Sequence, residues 1–326
     1  MRLNRWRFSM GVACLLMLPA GLRAEDGAAA NAPAQAPAPT APKAASEAPR
    51  GMGLSVEPGG ILLQHVTPGQ TYDLSANGGI ALKISNRDDK PRTFTLSTHQ
   101  PGKVGNGKWL AGYAEIPDPA WFWFDRKEVA VEPHSDGFAN MFVKIPDEPR
   151  YRNQHWSVSI GVQGVAQAGE MLALAAYPRY QIETEPIALD AQAAPEGALG
   201  LAPSLLRFES AAPGNKLRGD VTLYNNDASP RRYRLSILTI PTDATREQIT
   251  PSPGYDWVPQ AKWIGLSARK VTLKPKTRQA VTLTVKLPKD AAAGQHREAL
   301  LWVEPDQGRP AFARIQLDTV SPTSHQ

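Results

Sequence analysis

One passage of this chain occurs twice. ALKISNRDDKPRTFTLS at residues 81–97 returns as DVTLYNNDASPRRYRLS at 220–236, an offset of 139. AWFWFDRKEVAVEP at 120–133 returns as KWIGLSARKVTLKP at 262–275, an offset of 142. FVKIPDEPRYRNQHWSVSIGV at 142–162 is answered by TVKLPKDAAAGQHREALLWV at 284–303, with small length differences in the loop. A period of about 140 residues is too long for a solenoid unit and suits a whole domain, so the spacing predicts two tandem copies of one fold.

Within each copy the pattern is of short β-like runs bounded by Pro, Gly, Asn and Asp, such as IALKIS at 80, EVAVEP at 128 and SVSIGVQG at 157. No long amphipathic helix appears. About seven strands per copy predict an all-β chain, two tandem immunoglobulin-like antiparallel β-sandwiches. The expected limits are 51–190 and 199–320, with a tail at 321–326. The junction falls near LDAQAAPEGALG at 189–200, an Ala/Gly/Pro-rich passage. The cysteine-tryptophan-cysteine signature of antibody domains is absent.

The N-terminus reads MRLNRWRFSMGVACLLMLPAGLRAEDG. Arginines precede a short apolar run and a small-residue exit, which predicts a secretory signal over residues 1–24 cleaved after Ala24. Cys14 lies inside the apolar run and lacks the leucine that a lipoprotein signal places before its cysteine. Residues 25–50 form an Ala/Pro tract with almost no bulky apolar residue, expected to be a disordered spacer. Without the signal, the formal charge falls from +5 to +1, because residues 1–24 hold four basic and no acidic side chains. Nucleic-acid binding thereby loses its main support. Cys14 is the only cysteine, so the expected mature chain has no disulfide, thiolate nucleophile or cysteine-bound metal. No later apolar run approaches the roughly 20 residues of a membrane helix. The expectation is a soluble exported protein in the periplasm or, second, the medium.

Two tests for chemistry come out empty. The six histidines, His65, His99, His134, His155, His296 and His325, show no H-x-H or H-E-x-x-H spacing. No nucleophile elbow, P-loop or dinucleotide fingerprint is present. Loop carboxylates such as Asp88, Asp89, Asp118 and Asp125 are plentiful, but nothing selects a catalytic pair, and Asp88-Asp89 sits where turns favour Asp. A calcium site there stays open. The reading is of no enzyme, no cofactor and no metal site. His155 and His296 occupy near-equivalent places in the repeat, which favours a structural role for both.

The order of strand, Asn-rich turn, Pro and aromatic strand, then V-x-V/L-x-P, then I/L-P-D/K followed by a histidine-led strand, resembles bacterial exported Ig-like domains. These include the alpha-galactosidase-associated type, domains of Gram-positive surface proteins that interact with WxL proteins and, more distantly, periplasmic pilus chaperones. The resemblance covers nearly all of residues 51–320 and speaks to fold more than to activity. It implies partner recognition by strand addition at an exposed sheet edge. Pilus chaperones also hold a subunit's terminal carboxylate through basic residues near the interdomain cleft. Those positions do not map onto this chain, whose domains are longer.

The second copy acts as a control for the first. In DPAWFWFDRKEV, Phe122 and Phe124 correspond to Ile264 and Leu266, and Trp121 to Trp263, so three of four aromatics read as scaffold. Trp123 faces Gly265 and is the candidate for a surface role. On charge, the outward Thr93 and Thr95 become Arg232 and Arg234. Residues 25–200 carry 14 basic and 20 acidic side chains, net −6, and residues 201–326 carry 18 and 11, net +7. Solvated strand faces with chance asymmetry are the plain explanation of that contrast.

Three functional readings follow. The first is a non-enzymatic exported protein working by protein–protein contact, a periplasmic assembly factor or chaperone-like accessory of a cell-envelope structure, with Arg232 and Arg234 as anion contacts. The second is a carbohydrate- or cell-wall-binding module using Trp109, Trp123 and Trp257, which sit in or beside loop-like sequence. The third is a structural or adhesive subunit that self-associates through its oppositely charged halves. The expected partners are exported subunits, cell-envelope proteins or glycan, and not nucleic acid.

Overall fold

A computed structural model describes residues 53–104, 112–166, 174–189, 194–239 and 249–320. The expected signal, the Ala/Pro spacer, part of the junction and the tail lie outside these residues. The described chain is nearly all strand. It forms two antiparallel β-sandwiches of immunoglobulin type, as the repeat and the alternation predict.

The first sandwich comprises β1 (Leu54–Glu57), β2 (Gly60–Val66), β3 (Thr71–Asp73), α1 (Leu74–Gly78), β4 (Leu82–Asn86) and β5 (Arg92–His99). It continues with β6 (Ala114–Glu115), β7 (Phe122–Phe124), β8 (Glu128–Val131), β9 (Ser135–Ala139) and β10 (Met141–Lys144). The long β11 (His155–Gly164), β12 (Ala175–Ala176) and β13 (Arg179–Thr184) complete it. The second comprises β14 (Leu199–Ala202), β15 (Leu205–Ala211), β16 (Lys216–Asn225), β17 (Arg231–Leu238) and β18 (Asp256–Trp257). After these come β19 (Ile264–Leu266), β20 (Lys270–Leu273), β21 (Thr277–Lys286), β22 (His296–Pro305) and β23 (Ala311–Thr319).

One layer of the first sandwich runs β2-β13-β11-β5-β8, and the facing layer is built from β1-β4-β9 and β3-β10-β7. The second sandwich repeats this as β15-β23-β22-β17-β20 over β14-β16-β21-β19. In both, the first strand pairs antiparallel in one layer. The chain then crosses and pairs parallel with the last strand in the other layer, β2 on β13 and β15 on β23. Inward side chains at alternate positions make two separate cores. One is centred on Leu82, Ile84, Phe122, Trp156 and Ile160, the other on Val221, Leu223, Ile264, Leu301 and Ile315.

The repeat extends to side-chain hydrogen bonds. Asn86 is buried and its Nδ2 donates to the carbonyls of Lys90, Val131 and Glu132 at 2.7, 3.1 and 3.2 Å. Asn225 does the same to Ser229, Leu273 and Lys274 at 2.9, 3.3 and 3.0 Å. Each Asn Oδ1 accepts the amide two residues on, and an Asp–Arg pair closes each turn, Asp88–Arg92 at 2.8 Å and Asp227–Arg231 at 2.6 Å. These side chains satisfy backbone groups that the ladders leave open at the strand ends. The Asp88-Asp89 turn is therefore built by Asn86 and Arg92.

The copies differ in one strand. β16 is continuous, whereas its counterpart is split into β3 and β4 by α1. Asp73 caps α1 by accepting from the amides of Ser75 and Ala76, and Gly79, at φ 66°, ends it in the left-handed conformation that glycine tolerates.

Candidate partner-binding surfaces

The first site is the joint between the sandwiches. A strand covered on one face alternates, as β8 and β10 do, whereas β11 is buried without a break from His155 to Val162. In β22 and β23 the alternation fails: Leu300, Leu301, Trp302 and Val303 are all buried. Leu301, Val303, Ala313 and Ile315 face the sandwich core. Leu300, Trp302, Phe312, Arg314 and Gln316 face outward, in register as Leu300↔Arg314, Trp302↔Phe312 and Glu298↔Gln316. The first sandwich covers them. Tyr113 joins Leu300, Trp302, Phe312 and Ile249 in a third apolar cluster. The His155 ring stacks on Phe312 with centroids 4.1 Å apart. Gly112, at φ 86°, lies so close that a Cβ there would fall 2.5 Å from the Phe312 ring.

A buried polar network crosses the same joint. Arg314 donates Nε to Glu183 Oε2 at 2.8 Å and Nη2 to Glu183 Oε1 at 2.6 Å. Its Nη1 reaches Glu298 Oε1 and the Thr250 carbonyl. Tyr113 OH donates to Glu183 Oε1 at 2.5 Å, and Gln64 Nε2 to Oε2 at 2.8 Å. Gln316 and the Ser252 amide complete Glu298. Burial alone would raise the Glu183 carboxyl. The charge of Arg314, with the hydrogen bonds from Arg314 and Tyr113, outweighs it and holds the group well below the usual carboxylate range. Burial likewise brings His155 down to about 4, so it packs as a neutral ring. Asn153 adds a second tie, its Oδ1 accepting the amides of Ile187 and Ser204 at 3.0 and 2.8 Å. Beside the network an open groove of about 940 Å³ is lined by His65, Gln70, Tyr72, Arg207, Tyr255 and His296.

The second site is the outer face of the sheet farthest from the joint in the first sandwich. β7 is an edge strand, and Trp123 on it is 36% exposed, opposite Phe142. The two rings stack with centroids 5.6 Å apart and planes 14° off parallel. Phe138, 54% exposed, projects from β9 opposite Lys83. Ala139, Met141 and Val143, at the alternate positions, are buried, so Phe138 and Phe142 share the outer face with Trp123. Few soluble surfaces leave such large apolar side chains together in water without use for them.

Of the residues singled out in the sequence, Trp123 lies on this face. Phe122 is buried, Phe124 packs against the core, and Trp121 ends a 3-10 turn (Pro119–Trp121) with its ring against Tyr151 and Trp156. Trp121 therefore does not belong to the alternating strand that the sequence suggested, which begins at Phe122. Trp257 packs against the joint cluster. Trp109 lies outside the described residues. Arg232 and Arg234 project from β17, Arg234 lying 3.8 Å from Glu304 and remaining 74% exposed. Neither adjoins Trp123: β17 belongs to the layer of the second sandwich that meets the joint. Among the described residues, no group of three or more His, Cys, Asp or Glu side chains could hold a metal, and no helix is long and apolar enough to cross a membrane.

The sequence reading missed Phe138, Phe142 and the joint. The first two were within reach, because their counterparts are Ala280 and Thr284, as Trp123 has Gly265. The joint was signalled by ALLWV, an unbroken apolar run that a half-exposed strand would not carry.

No family model matches the chain, and no curated protein matches its sequence. Among solved structures it is similar to a protein of unknown function from Porphyromonas gingivalis W83, at 12% identity and TM-score 0.31, over 82% of this chain and 99% of that one. It is similar to the periplasmic chaperone SfaE, at 10% identity and TM-score 0.28, over 82% and 100% of the two chains. The E. coli chaperone DraB gives 10% identity and TM-score 0.28, over 81% and 98%. At these values the likeness carries no argument about activity.

Proposed function

We propose that this chain is an exported, non-enzymatic protein that acts by protein–protein contact, as an assembly factor or chaperone-like accessory of a cell-envelope structure. One observation carries the reading: the first sandwich bears Trp123, Phe138 and Phe142 on an open sheet face beside an edge strand, and the second bears none of them. Aromatic anchors on a rigid surface are the usual centre of a protein contact, and an edge strand offers backbone pairing as well. The secretory signal expected over residues 1–24 supports a contact outside the cytosol, in the periplasm. The division into units at 51–190 and 199–320 belongs to the same proposal. Arg232 and Arg234 are kept as anion contacts of a second surface, and Trp109 and Trp257 as minor contacts.

The test is site-specific photocrosslinking. A photoreactive residue at position 123 or 138, in the chain exported to the periplasm, should trap one or a few exported proteins, identified by mass spectrometry. The same residue at Thr284, the counterpart of Phe142, should trap a different set or nothing. Equal trapping of abundant proteins from all three positions would end the reading. Arg232→Thr with Arg234→Thr should weaken capture, and unchanged capture removes these two residues from the site.

A second reading, glycan binding, draws on the near-parallel Trp123–Phe142 pair, since exposed rings stack on sugar faces. It predicts retardation in polysaccharide or peptidoglycan gels that Trp123→Ala abolishes. Retardation unchanged in Trp123→Ala and Trp257→Ala removes it.

A further inference from the structure

We infer that the aromatic face of the first sandwich docks on the corresponding face of the second sandwich in another copy of this chain. The inference rests on the reading above, that the aromatic face is a protein-docking surface, and names its occupant.

The two faces are equivalent in fold and opposite in chemistry. Where the first has Trp123, Phe138 and Phe142, the second has Gly265, Ala280 and Thr284, and Gly265 pairs with Thr284 as Trp123 does with Phe142. Glycine is not forced at 265, since a Cβ there would meet nothing nearer than the Thr284 carbonyl oxygen at 3.7 Å. The second face is thus flat where the first is bulky. Around it stand Lys216, Arg218, Arg278 and Lys286, with Asp220 the acidic exception. The places of Lys216, Arg218 and Arg278 are taken in the first sandwich by Thr71, Asp73 and Asp136. Charge is therefore reversed at two equivalent points.

Lys216 and Lys286 face one another directly across the β16–β21 ladder. Like charges so placed repel, and an acidic or aromatic partner relieves them. Among the described residues neither of them, nor Arg218, has a carboxylate within ion-pair distance. On the first face Lys83 is already neutralised by Glu57 and Asp136, at 3.6 and 3.4 Å, which leaves Lys144 as the opposing charge. The halves as a whole carry −6 and +7. Both faces belong to the layer remote from the joint, so one copy presents both at once. A contact between unlike surfaces is head-to-tail: it adds copies in a row, as a closed ring where the rotation between copies closes and as an open row where it does not.

The experiment is sedimentation velocity of the mature chain, residues 25–326, over a range of concentrations at low and high salt. The expected result is a mass that rises with concentration at low salt and falls back toward monomer at about 0.5 M salt, where charges are screened within a few ångströms. Trp123→Ser with Phe138→Ser breaks the first face, and Arg218→Glu with Lys286→Glu breaks the second. Each double variant should associate about tenfold or more weakly. Mixed, the two should give a one-to-one dimer and nothing larger, because each retains the face that the other lacks. Gly265→Trp, at an exposed position whose backbone admits a Cβ, replaces the charge variant if that one fails to fold. A monomer at every concentration, a mixture that does not pair, or association surviving either double variant overturns the inference. If the chain stays monomeric while crosslinking at Trp123 and Phe138 traps another exported protein, the homotypic inference falls and the docking reading stands.

Discussion

Arg314 of the second sandwich donates two parallel hydrogen bonds to Glu183 of the first, 2.8 and 2.6 Å long, with both side chains almost fully buried. The guanidinium reaches Glu298 as well, so two carboxylates share one cation within the joint. Fork geometry gives such a pair its direction, and desolvation makes it costly to leave incomplete. The joint is thus held by groups that cannot separate without exposing or stranding charge.

Replacing Arg314 by Met should cost about 3–5 kcal/mol, because two buried carboxylates lose their cation. The measurement is urea unfolding at pH 7. In calorimetry the wild type should melt in one transition, and the Met variant in two, as the sandwiches uncouple.

Stability should fall with acid in two overlapping stages. The His155 pKa is lowered to about 4 by burial, so the folded form takes up its proton later than the unfolded form, whose value is 6.5. The contribution is complete above pH 6.5 and is lost as pH falls toward 4, up to roughly 3 kcal/mol. Glu183 is lowered too, so its contribution is complete above the unfolded carboxylate value of 4.5 and declines below it. Urea unfolding of His155→Phe should show a smaller slope between pH 6.5 and 4.5, the remainder coming from His65, whose pKa burial also lowers, with the steeper acid loss retained.

Gly112→Ala should loosen the joint while leaving both sandwich cores intact. Its φ of 86° disfavours any Cβ, and the Cβ would also strike Phe312. The expected loss is about 2 kcal/mol. Acrylamide should reach the fluorescence of Trp302, buried at 2% exposure, more readily than in the wild type.

Asn86→Ala and Asn225→Ala should cost nearly the same, about 2–3 kcal/mol each, since each strands three carbonyls in the same arrangement. Thermal unfolding of the two variants checks it. A large difference would mean that the sandwiches do not share this support equally.

Much of the fold was legible because it recurs. The pairing of PRTFTLS with PRRYRLS placed β5 and β17, and FWF against IGL placed β7 and β19, with inward residues correctly assigned. α1 was not legible, since five residues carry too little periodicity and its cap, Asp73, reads equally as a turn. The joint was harder still. Glu183 and Arg314 are far apart in sequence, and nothing local marks either as paired. The run ALLWV reports that β22 is covered on both faces, but which groups meet across the joint arises from the docking of two sandwiches and is not written in either strand. The aromatic face stood between these cases: Trp123 emerged from comparison of the copies, and Phe138 and Phe142 were open to the same comparison.

The clamps at Asn86 and Asn225 act as a ruler on the gene as well as on the protein. The offset between copies is 145 from β3 to the start of β16, 139 across the clamped turns, 142 through β7 to β10 and 141 at the start of β11. Residues have been gained or lost on either side of the clamped turn and never within it. Where backbone pairs with backbone, a chain can lengthen and re-pair. Where one amide holds three fixed carbonyls, each added residue would pull all of them out of reach. Insertions for tags or grafted loops should therefore be tolerated at α1 and lost at residues 86–92 and 225–231.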